Sequence, residues 1–446
     1  MSIVTNKLGA LALLLGATLA LVQPAQAIPA FARKYGLPCS ACHEAWPKLN
    51  SFGQTFKDEG YQLNNDRDAP FYQNPAYWPV AMRITPHWHF EGNSRVASDV
   101  VPGDGTSGQQ QSTINASGFD LPGIDILTGG TLAKNISFLL VPSIESDSGT
   151  ISFESAWVRL DRLHGSPWLN FKFGKFELDL PISEKRIMTL SNNGGFYQLY
   201  HFLPPGDVTP TSMGDNQLGA ELLGHSADDH TRYALSLLSS SDGELGLPGG
   251  RSYDGYFHLS QAFLLPHLGL QRVGAYGYVG LAPTFLLTSD GVPIPGSGRG
   301  NRSFYRAGAY ASFYLGRFDF TGLVQRASDN VFLANATAAN QTLPDGAQSP
   351  VWNTGTLEAH YTYSPQLVFI GRYELVRMTR QALATNPGDF ANLDAFTLGY
   401  RYYPFMHSRA GLAWHQEVAT VRSKLTSLNG QDQRSTSVFM GFDFAF

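Results

Sequence analysis

The chain ends Val438-Phe439-Met440-Gly441-Phe442-Asp443-Phe444-Ala445-Phe446. Side chains alternate sides along a strand, so Val438, Met440, Phe442, Phe444 and Phe446 share one face. That face is apolar throughout and closes on an aromatic ring. The other face admits Asp443. A single amphipathic strand reads the same way in isolation, so the segments upstream decide what it belongs to.

Working back from this end, the pattern repeats as far as about Val80. Candidate strands are 80–91, 115–128, 131–143, 151–162, 167–178, 216–225, 230–240 and 252–265, then 269–286, 302–315, 317–328, 352–363, 365–378, 393–404, 406–421 and 433–446. Their connections alternate between tight and long. Tight turns are expected at Gly129-Gly130, His164-Gly165-Ser166, Ala227-Asp228-Asp229, Pro266-His267-Leu268, Gly316, Ser364-Pro365 and Pro404-Phe405. Long loops are expected near 92–114, 179–215, 241–251, 287–301, 329–351, 379–392 and 422–432, with Ser146 to Thr150 as a short exception. An even strand count with short turns on one side and long loops on the other predicts a transmembrane antiparallel β-barrel of about 16 strands. In the first strand, Val80, Met82, Ile84, Trp88 and Phe90 should face lipid. Arg83, Thr85, His87, His89 and Glu91 should face the lumen. Lumen parity also falls on Lys172, Glu221, His258, His360, Arg372, Glu374, Arg401, Arg409, His415 and Glu417.

Composition agrees with a membrane barrel. The chain has 446 residues, of which 15% are charged and 13% aromatic, with 46 glycines. The net charge of −5 is too small to call for a nucleic acid or a strongly charged partner. Lys7, the uncharged run Leu8 to Val22 and Ala25-Gln26-Ala27 read as a signal peptide cleaved after Ala27. Beyond it, no run of about 18 apolar residues could form a membrane helix. The expected place is the outer membrane of a Gram-negative bacterium, in contact with its lipid, with the N-terminus periplasmic.

Both cysteines of the chain lie in Cys39-Ser40-Ala41-Cys42-His43. This is the C-x-x-C-H arrangement in which two thiols bond one haem and the adjacent imidazole binds its iron. A zinc site would need further soft ligands, and there is no third cysteine. A disulfide would leave His43 unexplained. Residues 28–77 therefore read as a small c-type haem module preceding a barrel at 78–446. Phe31, Tyr35, Trp46, Phe52, Phe56 and Tyr61 are available to wrap the ring. So short a segment cannot bury a haem alone, so it should complete its core against the rest of the chain.

No methionine and no second histidine falls between Ile28 and Tyr77. The sixth iron position is then open, or taken by a lysine, or filled from downstream by Met82, His87 or His89. Parity favours His87 or His89 as the distal ligand and makes Arg83 a candidate contact for a haem propionate. Met188, Tyr197, Tyr200 and His201 lie in the long 179–215 segment, which could fold inward or stay outside.

Pro29-Ala30-Phe31-Ala32-Arg33, Cys39 to His43, Pro47-Lys48-Leu49, Phe52-Gly53, Phe56-Lys57 and Gly60-Tyr61 together resemble the haem module of the fused outer-membrane cytochrome–porin family. The resemblance covers roughly Ile28 to Tyr61, and the remainder matches in architecture. It implies covalent haem at Cys39 and Cys42, and His43 as proximal ligand to the haem iron. The best-known members are iron(II) oxidases. The implied function is thus outer-membrane electron transfer through one haem c, from extracellular Fe(II) to a periplasmic cytochrome c. Two other readings stay open: a porin with a structural or sensory haem, and a docking subunit between extracellular and periplasmic cytochromes.

Overall fold

The computed structural model describes residues 30–45, 48–63, 80–98, 110–180, 188–191, 193–194, 213–214, 216–239, 253–283, 286–287, 289–290, 293–294, 301–331, 342–383, 392–406, 410–424 and 432–445. The signal peptide, Trp46, Tyr197, Tyr200, His201, Arg409 and the module boundary near Tyr77 lie outside these residues.

Sixteen antiparallel strands close into a barrel, two of them interrupted. Strand β1 runs as Val80–Ile84 and His87–Ser98, and β2 as Gln110–Asp120 and Gly123–Ala133. Then follow β3 (Ile136–Glu145), β4 (Ile151–Leu160), β5 (Asn170–Phe176), β6 (Gln217–His225), β7 (Thr231–Ser239) and β8 (Tyr253–Leu265). The second half is β9 (Gly269–Pro283), β10 (Asn301–Leu315), β11 (Phe318–Ser328), β12 (Val351–Ser364), β13 (Leu367–Arg380), β14 (Leu393–Met406), β15 (Gly411–Lys424) and β16 (Asp432–Ala445). The C-terminal strand closes the ring by pairing with β1, Val438 against Phe90 and Phe444 against Ile84. The breaks in β1 and β2 fall at the same height, at Thr85-Pro86 and Leu121-Pro122. Proline brings no N–H to a ladder, so both chains lose pairing there.

The alternation of the sequence becomes two surfaces. Phe119, Phe173, Leu235, Leu237, Leu259, Val324, Leu357 and Leu398 stand exposed on the outside. Rings of Phe318, Tyr361, Phe369 and Tyr400 follow one another near the short-turn rim, where aromatic girdles sit at a membrane interface. Inside, Lys172, Glu221, His258, His360, Arg372, Glu374, Arg401, His415 and Glu417 are all buried, as their parity requires. Charged residues hidden inward and large apolar ones bare outward would be inverted in water. The architecture is that of an outer-membrane β-barrel.

The N-terminal segment folds into the short-turn end of the lumen, which is the periplasmic end in such barrels. It comprises α1 (Ala30–Tyr35), α2 (Cys39–Cys42), a ribbon of His43–Ala45 paired with Lys48–Leu49, and α3 (Ser51–Asp58). Ion pairs fasten it to the wall: Lys48 to Asp319, Glu59 to Arg162 (2.6 Å) and Asp58 to Arg232 (3.2 Å) beside the turns, and Lys57 to Glu177 past the far end of β5. Thr55 donates a hydrogen bond to Asp229 at 2.6 Å.

Two expected turns are not turns. The chain passes straight through Gly129-Gly130 and reverses after Ala133, with Asn135 at φ 55°. Asparagine tolerates that left-handed conformation. Gly129 has another task, because a Cβ there would lie 3.1 Å from the Phe31 ring. The second, Pro404-Phe405, lies within β14, which continues to Met406 across a bulge between Tyr402 and Phe405. A bulge is where a strand accommodates proline.

Candidate functional site

Three devices shape the Cys39–His43 turn. Pro38, at φ −70°, leads into α2 in an extended conformation. Asn50 caps α3 by accepting from the Gly53 N–H at 2.9 Å, and its amide donates to the Ala41 carbonyl at 3.0 Å. A Cβ on Gly53 would collide with the Cys42 carbonyl, so only glycine lets α3 lie directly against the motif. The aromatic residues form a stack running outward to the wall. Phe31 lies flat on Tyr61 at 4.5 Å and edge-on to Phe56 at 5.5 Å, and Tyr61 stacks on Trp157 of β4 at 6.0 Å.

Cys39, Cys42 and His43 line one cavity of about 290 Å³ between this segment and the barrel. Phe31, Phe56 and Tyr61 line it from the segment, and Ala81, Arg83, Trp157, Phe176, Tyr403 and Met406 from the wall. Neither cysteine is in a disulfide. Burial pushes the Cys39 thiol up to about 11, and the Cys42 thiol is also raised by burial. Both are therefore thiols at neutral pH, without the thiolate character of a catalytic cysteine. Among the described residues neither is part of a group of three or more possible metal ligands. Two thiols, an imidazole and a wall of aromatic and aliphatic groups facing one cavity fit a covalently held haem.

Arg83 does reach this cavity, but its fork is already engaged. Its guanidinium donates to both oxygens of buried Asp443 at 3.0 Å each, and Arg401 donates to the same carboxylate at 3.0 Å. His87 and His89 point into the lumen but do not line the cavity. They stand with Asp120 farther along β1 and β2, their ligand atoms within 4.8 Å of one another. Met82 does not line the cavity either, whereas its neighbours Ala81 and Arg83 do. Met406 does, and sequence reasoning missed it. The only available signal was its position just after Pro404, which reads as a turn.

The long segment enters the barrel at residues 188–194. Met188 is buried, and its carbonyl accepts from Arg401 at 2.9 Å. The Leu190 N–H donates to Glu417 at 2.7 Å, and Arg372 donates to Thr189 at 3.2 Å. This strap and the N-terminal segment meet, since Met188 and Ala45 pack in one cluster with Val368, Ile370 and Tyr403.

No protein-family model and no curated relative matches the chain. Among solved structures, an anion-selective porin from Comamonas acidovorans is 14% identical, covers 82% of this chain and 99% of its own, and has a TM-score of 0.49. A loop-deletion variant of OmpT from Vibrio cholerae is 12% identical over 83% of this chain and 100% of its own, with a TM-score of 0.47. OprB from Pseudomonas putida is 10% identical over 82% and 94%, also with a TM-score of 0.47. The first is a porin and the second an outer membrane protein, and this chain is similar to all three in fold.

Proposed function

We propose that this barrel is a cytochrome–porin fusion that takes electrons from extracellular Fe(II) and delivers them to a periplasmic cytochrome. The observation that carries the reading is the convergence of Cys39, Cys42 and His43 on one cavity inside the lumen. Cys39 and Cys42 would hold a haem c covalently, and His43 would bind its iron from one side. Bound there, the group supplies a centre that accepts and returns one electron at a time.

The chain's own residues then do the rest. Phe31, Phe56, Tyr61, Trp157 and Phe176 exclude water from the cavity. Met406 is the cavity's thioether among the described residues, and would be available to hold the iron from the barrel wall. A thioether held there together with His43 would raise the group's potential, which suits a site that must draw electrons from Fe(II). Arg83 places positive charge on the cavity wall, balanced by Asp443, where propionates would need it. The barrel supplies passage: Fe(II) enters from the long-loop side, loses one electron and leaves as Fe(III). The N-terminal segment, seated at the periplasmic end, presents the acceptor side. A diffusion porin is less well supported, because that segment occupies the periplasmic half of the lumen.

Stopped-flow absorbance of the oxidised, detergent-solubilised protein mixed anaerobically with Fe(II) tests this. A reduced c-type spectrum should appear rapidly. A protein that dithionite reduces but Fe(II) does not, across pH, would refute iron oxidation and favour a protein donor.

A further inference from the structure

The break in β1 at Thr85-Pro86 leaves the Thr85 carbonyl outside the ladder, and the His87 ring takes it up. His87 Nδ1 lies 2.9 Å from the Thr85 oxygen. A carbonyl only accepts, so Nδ1 carries the proton, and a neutral ring then has a bare Nε2. The ring is held flat against Phe439 at 4.3 Å. Its Nε2 faces Asp120 Oδ2 at 3.9 Å. That is too long for a hydrogen bond. It is near the spacing of about 3 to 3.5 Å expected between two ligands that each stand about 2.1 Å from one ion. His89 shares the lumen face two residues along, its ring 5.6 Å from that of His87. A backbone carbonyl on one ring nitrogen, with the other aimed at a carboxylate, is the usual setting of a metal-binding histidine.

We propose that His87, His89 and Asp120 form a lumen site for a divalent first-row transition ion, where Fe(II) docks before its electron enters the cavity. The docking role rests on the iron-oxidation reading; the binding site does not. Two histidines and one carboxylate suit Fe(II) and its neighbours and leave coordination positions open for water. The location suits the route. His87 lies four residues beyond cavity-lining Arg83 along β1, about 13 Å at ~3.3 Å per residue, on the side of the long loops. Asp120 is about half exposed. The other ligand-type cluster, Glu44, Asp319 and His360, already holds a cation, because Lys48 Nζ pairs with Asp319 and lies 3.0 Å from His360 Nδ1.

The test is anaerobic Co(II) titration of the full-length haem-loaded protein, read by visible absorption and calorimetry. One ion per chain should bind. Affinity should fall by roughly 10-fold or more in a His87→Ala, His89→Ala double variant. It should also fall in Asp120→Asn, which keeps the side chain's shape and decides the matter if the double variant lacks the heat-modifiable migration of a folded barrel. Equal Co(II) binding in wild type and both variants, or no stoichiometric binding, overturns the site. Fe(II) stopped flow on the same proteins separates the two claims. If Fe(II) reduces wild type and the variants equally fast, docking falls and iron oxidation stands. If Co(II) binds through these residues but Fe(II) reduces nothing, iron oxidation falls and the site stands.

Discussion

Gly411 stands opposite Met406 in the ladder joining β14 to β15, and a Cβ on it would lie 3.8 Å from the Cys39 sulfur. Cys39 and Met406 thus both line the cavity at this pair of strand positions. On the proposed reading, Met406 is the residue on which the haem's potential would depend. Met406→Ala should abolish the far-red band of a thioether bound to ferric iron. It should also lower the midpoint potential by something on the order of 0.1 V, within the ~0.8 V that axial ligands span. Redox titration and absorbance of the ferric protein check both. A potential and spectrum unchanged by the substitution would remove Met406 from the iron. The motif was legible because it is local: Cys39 to His43 are five consecutive residues, and three of them line one cavity. Met406 was not legible, because its partner is more than 350 residues away in sequence and is brought close only by closure of the barrel.

At the scale of elements, the docked segment depends on small residues and buried charge. Gly129 leaves room for Phe31, and Lys48 carries the charge that balances Glu44 and Asp319. Asp319 is 4% exposed, so removing its partner strands a buried carboxylate. Lys48→Ala should cost about 3–5 kcal/mol of docking. Limited proteolysis should then cut within residues 30–63 far faster than in wild type. A Lys48→Met, Asp319→Leu double variant removes that pair, leaves Glu44 to His360 at 3.8 Å, and should recover part of the protection, since an apolar pair of similar volume is often neutral. Cleavage as slow in Lys48→Ala as in wild type would show that the aromatic stack and the other ion pairs hold the segment without Lys48. The two misplaced turns belong to this scale as well. Gly-Gly and Pro-Phe are turn signals by local preference, but here glycine serves contact with the plug and proline sits in a bulge.

For the whole molecule, the lumen is occupied twice, by the N-terminal segment from the short-turn end and by residues 188–194 from the wall. Intact protein in a planar bilayer should therefore conduct far less than an open porin of similar size. A chain lacking residues 28–63 but still showing heat-modifiable migration should conduct several-fold more. Equal conductance would mean that the segment leaves the pore open, and would restore the porin reading.

Sequence alone determined the strand number, the face each strand turns to lipid, the buried lumen charges and the motif with its two thiols and imidazole. All of these follow from periods of one or two residues or from contiguous spacing, and backbone geometry sets them without long-range help. Tertiary structure decided which end of the lumen the N-terminal segment fills, that Met406 rather than His87 or His89 faces its cavity, and that the two histidines meet Asp120. These are contacts between residues far apart in the chain. They exist only once the strands take one register and the ring closes, which no local pattern encodes.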